Sequence, residues 1–214
     1  MKTYKIHLIR HGMTEANEKG LYCGSSDLPL SDAGEHSLGE LLGRYDYPYV
    51  DRVYASPLSR AVRTAEILYP GCDVLRVDDL REASFGPFEG KSMQALRGNA
   101  DFEKFVAPGS QYTPDGVEPA AEFRLRCREA FIGIVNEMMR EGVFSAAVVT
   151  HAGVIGTVLS LLAYPKQAPY DWQCGCGCGF TVLADPSLFL REPVVEVIES
   201  LPYETEPAPE EDAD

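Results

Sequence analysis

The chain has 214 residues, of which 45% are hydrophobic, and this is enough to bury one substantial core. Its formal net charge of −14 makes nucleic acid an unfavourable partner. Residues 199–214 contain seven of the acids and no Lys or Arg. We therefore predict a single domain over residues 1–200, followed by an acidic and disordered tail over residues 201–214.

The apolar segments are too short for a signal peptide or a membrane span. Residues 1–5 lead directly into a short apolar strand, and the longest apolar helical stretch covers only residues 152–163. We expect a cytoplasmic protein that binds neither a membrane nor nucleic acid, and the oligomeric state stays open.

Short β-rich runs alternate with helical patterns along the chain, which is typical of a parallel sheet covered by helices on both faces. In chain order the patterns first predict a strand at 5–10, a helix at 31–44, a strand at 52–55, a helix at 57–69 and a strand at 74–77. After residue 118 they predict a helix at 119–140, a strand at 146–150, a helix at 154–163 and a last strand at 194–198. Ser31 is the expected cap of the first helix. Glycines and prolines interrupt every long pattern in residues 85–118. The predicted fold is an α/β three-layer sandwich with a mostly parallel central sheet, helices on both faces and a loop-rich lid insertion at residues 85–118.

Three of the six cysteines alternate with glycines in residues 174–179. In a strand, Cys174, Cys176 and Cys178 would share one face. Same-face neighbours in a strand lie roughly 6.5 Å apart, whereas two sulfurs on one zinc ion approach to about 4 Å. We therefore predict a buried strand here and no metal site.

Two histidines follow predicted strands at the same edge of the sheet. His11 follows the first strand and His151 follows the strand at residues 146–150, and each precedes a turn that contains glycine. Ligands of open α/β sheets bind at this edge, where backbone N–H groups can face an anion. His7 and His36 lack this context, and we interpret them as ordinary core or surface residues.

Four stretches, in order, resemble the motifs of the histidine phosphatase superfamily, also called phosphoglycerate mutase-like. Residues 8–17, with Arg10-His11-Gly12, are similar to its nucleophile motif, and residues 55–65 are similar to its second arginine motif. Residues 80–90 resemble its acid-bearing segment, and residues 149–153 resemble its second histidine motif.

The resemblance implies a role for each matching residue. His11 would be the nucleophile, with Arg10, Arg60 and His151 around the phosphoryl group. The implied substrate or phosphate contacts are Thr14, Asn17, Cys23, Gly24 and Ala152. Guanidinium groups suit the charge on the oxygens of a phosphoryl group in transfer, and their field should keep His11 neutral.

Glu82 matches the position of the general acid and base of the family. A nearby phosphate dianion should raise its pKa, so that the acid form is available. Glu89 is the rival carboxylate, and we expect it to support the loop backbone instead. Arg63 is expected to form a salt bridge on a helix surface.

These observations predict a phosphoric monoester hydrolase of the histidine acid phosphatase type, without a metal or cofactor. Its substrate would be a small phosphomonoester, and the aromatic residues of 85–118 would form either a face for the leaving group or a small core. One alternative is a bisphosphate-dependent phosphoglycerate mutase, which the few basic residues of 85–118 disfavour. Another is a binding module for phosphorylated ligands without turnover, although Arg10, His11, Arg60, Glu82 and His151 are all present.

Overall fold

The computed structural model of the chain describes residues 3–204. Within these residues, nine strands are found: β1 (Tyr4–Arg10), β2 (Tyr45–Asp46), β3 (Arg52–Ala55), β4 (Val74–Arg76), β5 (Ser145–Thr150), β6 (Ala163–Tyr164), β7 (Gly179–Ala184), β8 (Val195–Leu201) and β9 (Tyr203–Glu204). The α-helices of the same region are α1 (Glu15–Glu18), α2 (Asp32–Arg44), α3 (Ser59–Leu68), α4 (Ala100–Val106), α5 (Ala120–Glu141), α6 (Ala152–Leu162) and α7 (Pro186–Phe189). Short 3₁₀ turns lie at Asp78–Leu80, Gly86–Phe88 and Pro169–Asp171.

The central sheet has the order β4-β3-β5-β1-β7-β8-β6 among the described residues. Its first four strands are mutually parallel, and β7 runs antiparallel to both β1 and β8. Successive residues of the buried strands point to opposite faces. Leu8 packs into the core formed with α5 and α6, whereas Ile9 packs into the core formed with α2 and α3. The predicted three-layer α/β fold with a mostly parallel sheet is confirmed.

The predicted helices have local causes. The side chain of Ser31 accepts a hydrogen bond from the backbone N–H of Gly34 and caps α2 as expected. Helix α5 ends where Gly142 adopts the left-handed region at φ 68°, which favours glycine. Helix α6 begins at Ala152, two residues earlier than the periodicity predicts, and its first turn directly follows His151.

The predicted cysteine strand is wrong. Residues 174–178 form a turn, in which Gly177 has φ +77°, and the strand β7 begins only at Gly179. A Cβ atom on Gly179 would lie 1.8 Å from the carbonyl oxygen of Leu8, so β7 approaches β1 too closely for any other residue at this position. The alternation of small residues here reflects a tight turn that enters a close strand pair, and the three thiols do not line one face of a strand.

The predicted start of the tail at residue 201 is also wrong. Strand β8 continues to Leu201, which is buried, and β9 pairs with β2 in a small second sheet. The chain up to Glu204 is therefore structured. The rest of the predicted tail, residues 205–214, lies outside the described residues.

The 85–118 segment has a small core of its own. Phe88, Leu96, Phe102 and Val117 are buried together, and the rings of Phe88 and Phe102 meet edge to face with centroids 5.2 Å apart. Phe105 packs against this core but is only partly buried. The segment thus stabilises itself by aromatic packing, with one short helix, α4.

Candidate active site

The candidate site lies at the carboxyl ends of β1, β3 and β5. The parallel register pairs Arg10 with Thr150 and Ala55 with Val149. The residues that follow each strand are therefore brought side by side, and the rings of His11 and His151 lie 5.0 Å apart between centroids. The expectation that both histidines meet at one edge of the sheet agrees with this geometry.

His11 is held in one orientation by its own backbone. It is buried, with 6% of its surface exposed, and its Nδ1 lies 2.6 Å from the carbonyl oxygen of Gly12. A carbonyl oxygen only accepts hydrogen bonds, so the proton of the neutral ring resides on Nδ1 and donates to Gly12. The Nε2 atom then carries the lone pair.

The same surroundings keep His11 neutral. Burial, followed by the positive charge of Arg60, lowers the pKa of His11 to about 3, against the opposing effect of the bond to Gly12. The direction agrees with the sequence-based expectation, but burial outweighs the arginine field as its cause.

Thr64 connects the first two motifs, a role that sequence reasoning missed. Its Oγ1 accepts a hydrogen bond from the N–H of Gly12 (2.8 Å) and donates to the carbonyl oxygen of Arg60 (2.6 Å). Thr64 lies within the second arginine motif, four residues after Arg60 on α3. That helical spacing was the available signal.

The two arginines are fixed by backbone carbonyls. Nη1 of Arg10 donates to Cys174 (2.8 Å), in the turn that precedes β7. The fully buried Arg60 donates from Nη1 to Ser26 (2.8 Å) and from Nη2 to Gly24 (2.7 Å). Because carbonyl groups leave the positive charge uncancelled, both guanidinium groups can still attract an anion.

His151 is completely buried, and its ring neighbours that of His11. Its Nε2 lies 2.8 Å from Oγ of Ser56, while among the described residues its Nδ1 has no hydrogen-bond partner. Burial above all, together with the proximity of His11 and the positive charge of Arg60, holds the pKa of His151 well below its usual value. The ring is therefore neutral and has one nitrogen open for a ligand.

Glu82 is held against the start of α6. Its Oε2 accepts from the N–H of Gly153 (2.9 Å) and its Oε1 accepts from the N–H of Ala83 (2.9 Å). Burial raises the pKa of Glu82 more than these two hydrogen bonds lower it. The pKa of Glu82 is thus raised before any phosphate is bound, and burial is a different cause from the expected one.

Glu89 supports the loop backbone, as expected. Its carboxylate accepts hydrogen bonds from the N–H groups of Ser25 (3.0 Å), Ser26 (2.8 Å) and Phe85 (3.0 Å). Burial raises the pKa of Glu89, but the hydroxyl of Ser26 and these three N–H groups together lower it below its usual value. Glu89 is therefore an ionised anchor for the loop that receives Arg60.

The residues that were predicted to contact the substrate or phosphate have different local roles in the structure. Thr14 caps α1, because its hydroxyl accepts from the backbone N–H of Asn17. Oδ1 of Asn17 accepts in return from the N–H and the hydroxyl of Thr14, which leaves the amide nitrogen of Asn17 as the donor. Gly24 contributes its carbonyl to Arg60, and the half-buried thiol of Cys23 has a pKa raised by burial. Ala152 opens α6 beside Glu82.

The remaining sequence-based interpretations concern residues outside the site. Arg63 forms a surface ion pair with Glu35 (2.7 Å), which confirms the expectation. His7 is buried and lies 3.0 Å from Oγ1 of Thr181, and His36 is exposed. Both fit the ordinary roles assigned to them.

Arg126 holds the loop that carries Glu82, and sequence reasoning missed it. Its guanidinium donates to the backbone carbonyls of Asp79 (2.7 Å), Arg81 (2.7 Å) and Glu82 (3.3 Å), and it pairs with Glu118 (2.6 Å). Arg126 lies in the second turn of α5, 44 residues from Glu82. No local pattern indicates a contact over that separation.

Two clefts adjoin the site. One, of about 330 Å³, is lined by Glu82 together with Phe85, Phe105, Val117 and Phe123. The other, of about 400 Å³, is lined by Arg10, Gly153 and Trp172 among others. Gly153 belongs to both clefts, so they meet beside Glu82.

Two structural findings bear on cofactors and membranes. Over residues 3–204, no three His, Cys, Asp or Glu side chains group in a way that could hold a metal ion. Each helix in that range falls short of the length and apolar character needed to cross a bilayer.

The fold and the site define an α/β protein in which two histidines and two arginines gather at the carboxyl edge of the parallel part of the sheet. A sequence profile of the histidine phosphatase superfamily (branch 1) matches residues 6–184. The chain therefore belongs to the histidine phosphatase superfamily.

Known relatives include both phosphatases and mutases. The chain is 30% identical over 188 residues to an adenosylcobalamin/alpha-ribazole phosphatase from Salmonella typhi, covering 83% of this chain and 89% of that protein. It is 32% identical over 172 residues to a probable phosphoglycerate mutase, GpmB, from Serratia proteamaculans, covering 76% and 78%. The structure of an alpha-ribazole phosphatase from Shigella flexneri matches with a TM-score of 0.76 at 24% identity, over 95% of this chain and 100% of that one, which shows the common fold. The chain is thus an enzyme of the phosphatase and mutase class of this superfamily.

Proposed function

We propose that the chain is a phosphomonoesterase that hydrolyses small phosphorylated molecules through a phosphohistidine on His11. The observation that carries the proposal is the hydrogen bond from Nδ1 of His11 to the carbonyl of Gly12. It leaves the unprotonated Nε2 as the nucleophile of a ring that stays neutral above about pH 3.

In the first half-reaction, Nε2 of His11 attacks phosphorus and the bond from phosphorus to the leaving oxygen breaks. The protonated Glu82 gives its proton to that oxygen, so the leaving group departs as a neutral alcohol. Arg10, Arg60 and Nδ1 of His151 stabilise the charge on the three other phosphoryl oxygens.

In the second half-reaction, the Glu82 carboxylate takes a proton from a water molecule as the water oxygen attacks phosphorus. The bond between Nε2 and phosphorus breaks, inorganic phosphate is released and His11 returns to its neutral form. Glu82 is protonated again, which completes the cycle without a metal ion.

The substrate class follows from the cleft beside Glu82. Its side walls are Phe85, Phe105, Val117 and Phe123, so it favours a carbon-rich or aromatic leaving group. A nucleotide-derived phosphate such as alpha-ribazole phosphate, which the Salmonella typhi relative is named for, belongs to this class. We further propose the histidine acid phosphatase type, since burial raises the pKa of Glu82 and so extends the acid form to a higher pH than usual. The cytoplasm is the proposed location, because the apolar segments of the sequence are short.

A phosphoglycerate mutase is the second candidate, since several relatives are named as such. It would return the phosphoryl group from His11 to a sugar acid that carries a carboxylate and a second phosphate. Such a substrate needs positive charge around the leaving group. Lys91, Arg97 and Lys104, the basic residues of the 85–118 segment, are exposed and do not line the cleft beside Glu82. This arrangement favours hydrolysis.

Trapping the intermediate tests the proposal. The wild-type enzyme, quenched in alkali during turnover of an aryl phosphate, should contain an acid-labile phosphohistidine. His11→Ala should lack it and lose at least about 10³-fold in kcat. His36→Ala is the matched control and should behave as wild type, and EDTA should leave turnover unchanged. Full activity of His11→Ala would refute the covalent route, and faster phosphoryl transfer from bisphosphoglycerate to 3-phosphoglycerate than to water would favour the mutase.

A further inference from the structure

Ser56 contacts the second histidine of the site from a fixed position. It is fully buried at the end of β3, and its N–H donates to the carbonyl of Val149 on β5 (2.9 Å). His151 lies two residues after Val149, and its Nε2 is 2.8 Å from Oγ of Ser56. The pairing of two parallel strands thus sets the distance between hydroxyl and imidazole.

The hydrogen bonds around Ser56 indicate which atom donates. The N–H of Leu58 lies 3.4 Å from Oγ of Ser56 and donates to it, weakly at this length. The hydroxyl hydrogen is therefore available for Nε2 of His151. In the reverse arrangement, Oγ would accept twice, and within residues 3–204 its own hydrogen would have no acceptor.

The other nitrogen of His151 has an unmet requirement. Nδ1 is buried and without a partner among the described residues, and its ring lies 5.0 Å from the ring of His11. A buried N–H without an acceptor is energetically unfavourable, so it favours any acceptor that enters the site. A phosphoryl group on or near His11 brings three such oxygens.

We propose that Ser56 is a positioning residue whose hydroxyl donates to Nε2 of His151 and thereby keeps the ring proton on Nδ1, directed at the phosphoryl group. This inference rests on the proposed function and names a residue that acts through another. The hydrogen bond made by one imidazole nitrogen determines whether the other is protonated. Without Ser56, a free imidazole favours the tautomer with its proton on Nε2, and Nδ1 would present a lone pair to phosphoryl oxygens.

Loss of the Ser56 hydroxyl should weaken the stabilisation of the phosphoryl group and should not affect the protonation of the leaving group. Ser56→Ala should lower kcat by roughly 10–100-fold, the scale on which partners of functional histidines act. The loss should be the same for alkyl and aryl phosphates, because His151 does not contact the leaving oxygen. KM should change less, since the contact strengthens as charge moves onto the equatorial oxygens.

The decisive experiment is nitrogen-15 NMR of histidine-labelled protein without substrate. The chain has four histidines, so each ring can be assigned by substitution. In the wild type, His151 should show a protonated Nδ1 and an unprotonated Nε2, and in Ser56→Ala the two forms should mix or reverse. Ser56→Thr keeps the hydroxyl and should restore both the tautomer and part of kcat.

Thr181→Val is the matched control. It removes another buried hydroxyl that contacts a histidine, at 3.0 Å from Nδ1 of His7. It should lower stability while leaving the tautomer of His151 and kcat unchanged.

The proposal is overturned if wild-type His151 carries its proton on Nε2, or if Ser56→Ala keeps the wild-type tautomer. Should Ser56→Ala fail to fold, the wild-type spectrum and Ser56→Thr still decide. If the wild type hydrolysed no phosphomonoester, the proposed function would fail, whereas the tautomer measurement would stand by itself.

Discussion

Burial displaces the pKa values of His11 and Glu82 in opposite directions. Burial disfavours the charged form of each group, so the pKa of His11 falls to about 3 and the pKa of Glu82 rises. At a pH between these two pKa values, His11 is neutral while Glu82 is protonated. The value of kcat/KM should therefore decline as the pH rises through the raised pKa of Glu82, because the fraction that can protonate the leaving group declines.

Glu82→Gln tests this residue with two kinds of substrate. Glutamine keeps the shape of the side chain but cannot transfer a proton, and its one carbonyl oxygen can accept from only one of the N–H groups of Ala83 and Gly153. For alkyl phosphates, the rate of phosphohistidine formation should drop by roughly 10²–10⁴-fold. For aryl phosphates, whose leaving oxygens need little protonation, the loss should be far smaller.

Rapid-quench measurements of both substrates provide the comparison. The alkaline decline of kcat/KM should disappear in the variant for aryl phosphates. An equal loss for the two substrates would show that Glu82 does not act as the acid.

At the scale of elements, the site depends on how closely the start of α6 approaches the loop of Glu82. Arg126 on α5 draws this loop inwards through three backbone carbonyls. Gly153 allows the carboxylate to reach the first turn of α6, since a Cβ atom there would lie 2.4 Å from Oε1 of Glu82. Helix dipole and backbone N–H together stabilise a carboxylate at this position.

Gly153→Ala should therefore displace Glu82. A displacement of about 1 Å in a catalytic group can cost on the order of 100-fold in rate, and we expect a loss of that order in kcat with little change in melting temperature. Steady-state kinetics and thermal unfolding measure the two effects.

Gly133→Ala is the control for Gly153→Ala. Gly133 lies on the exposed side of α5, where a Cβ atom would meet nothing within 4 Å. The substitution should raise the free energy of unfolding by about 0.5–1 kcal/mol and leave kcat unchanged. If Gly153→Ala kept full activity, the close approach of α6 to Glu82 would not matter for catalysis.

At the scale of the whole molecule, three buried histidines make stability depend on pH. The pKa of His7 is lowered to about 4, mainly by burial, that of His11 to about 3, and that of His151 lies well below 6.5. In the unfolded chain each returns to about 6.5. Between these values the unfolded state binds more protons, so their contribution to stability is complete above pH 6.5 and is lost as the pH falls below it.

The free energy of unfolding should fall on acidification from pH 6.5 by up to roughly 1.4 kcal/mol per pH unit for each of these histidines. Glu82 acts in the opposite direction, because its raised pKa favours the folded state at low pH. Urea unfolding between pH 7 and pH 5 measures the slope. His7→Gln should reduce it, because it removes one of the three histidines with a lowered pKa. An unchanged slope in His7→Gln would contradict the account.

The functional side chains of the site could be predicted from the sequence because they occur in short motifs, within a few residues of each other. Arg10-His11-Gly12 and the segment after β5 each place functional groups within a few residues of a strand end. The cap at Ser31 and the alternation of strands and helices are also local. Each of these features depends on neighbours in the chain, which the sequence displays directly.

Only the tertiary structure decided how these groups are oriented. The contacts of Ser56 with His151, of Arg126 with the Glu82 loop, and of Arg10 with the turn at Cys174 span 95, 44 and 164 residues. The turn at 174–178 and the continuation of the fold to Glu204 were mispredicted for the same reason, since pairing with β1 and β2 determines both. The sequence by itself determined which groups could carry a phosphoryl transfer. The proton of His11 is placed by the neighbouring Gly12, whereas the surroundings of His151 and Glu82 were decided by strand register and helix approach, because they depend on contacts between segments far apart in the chain.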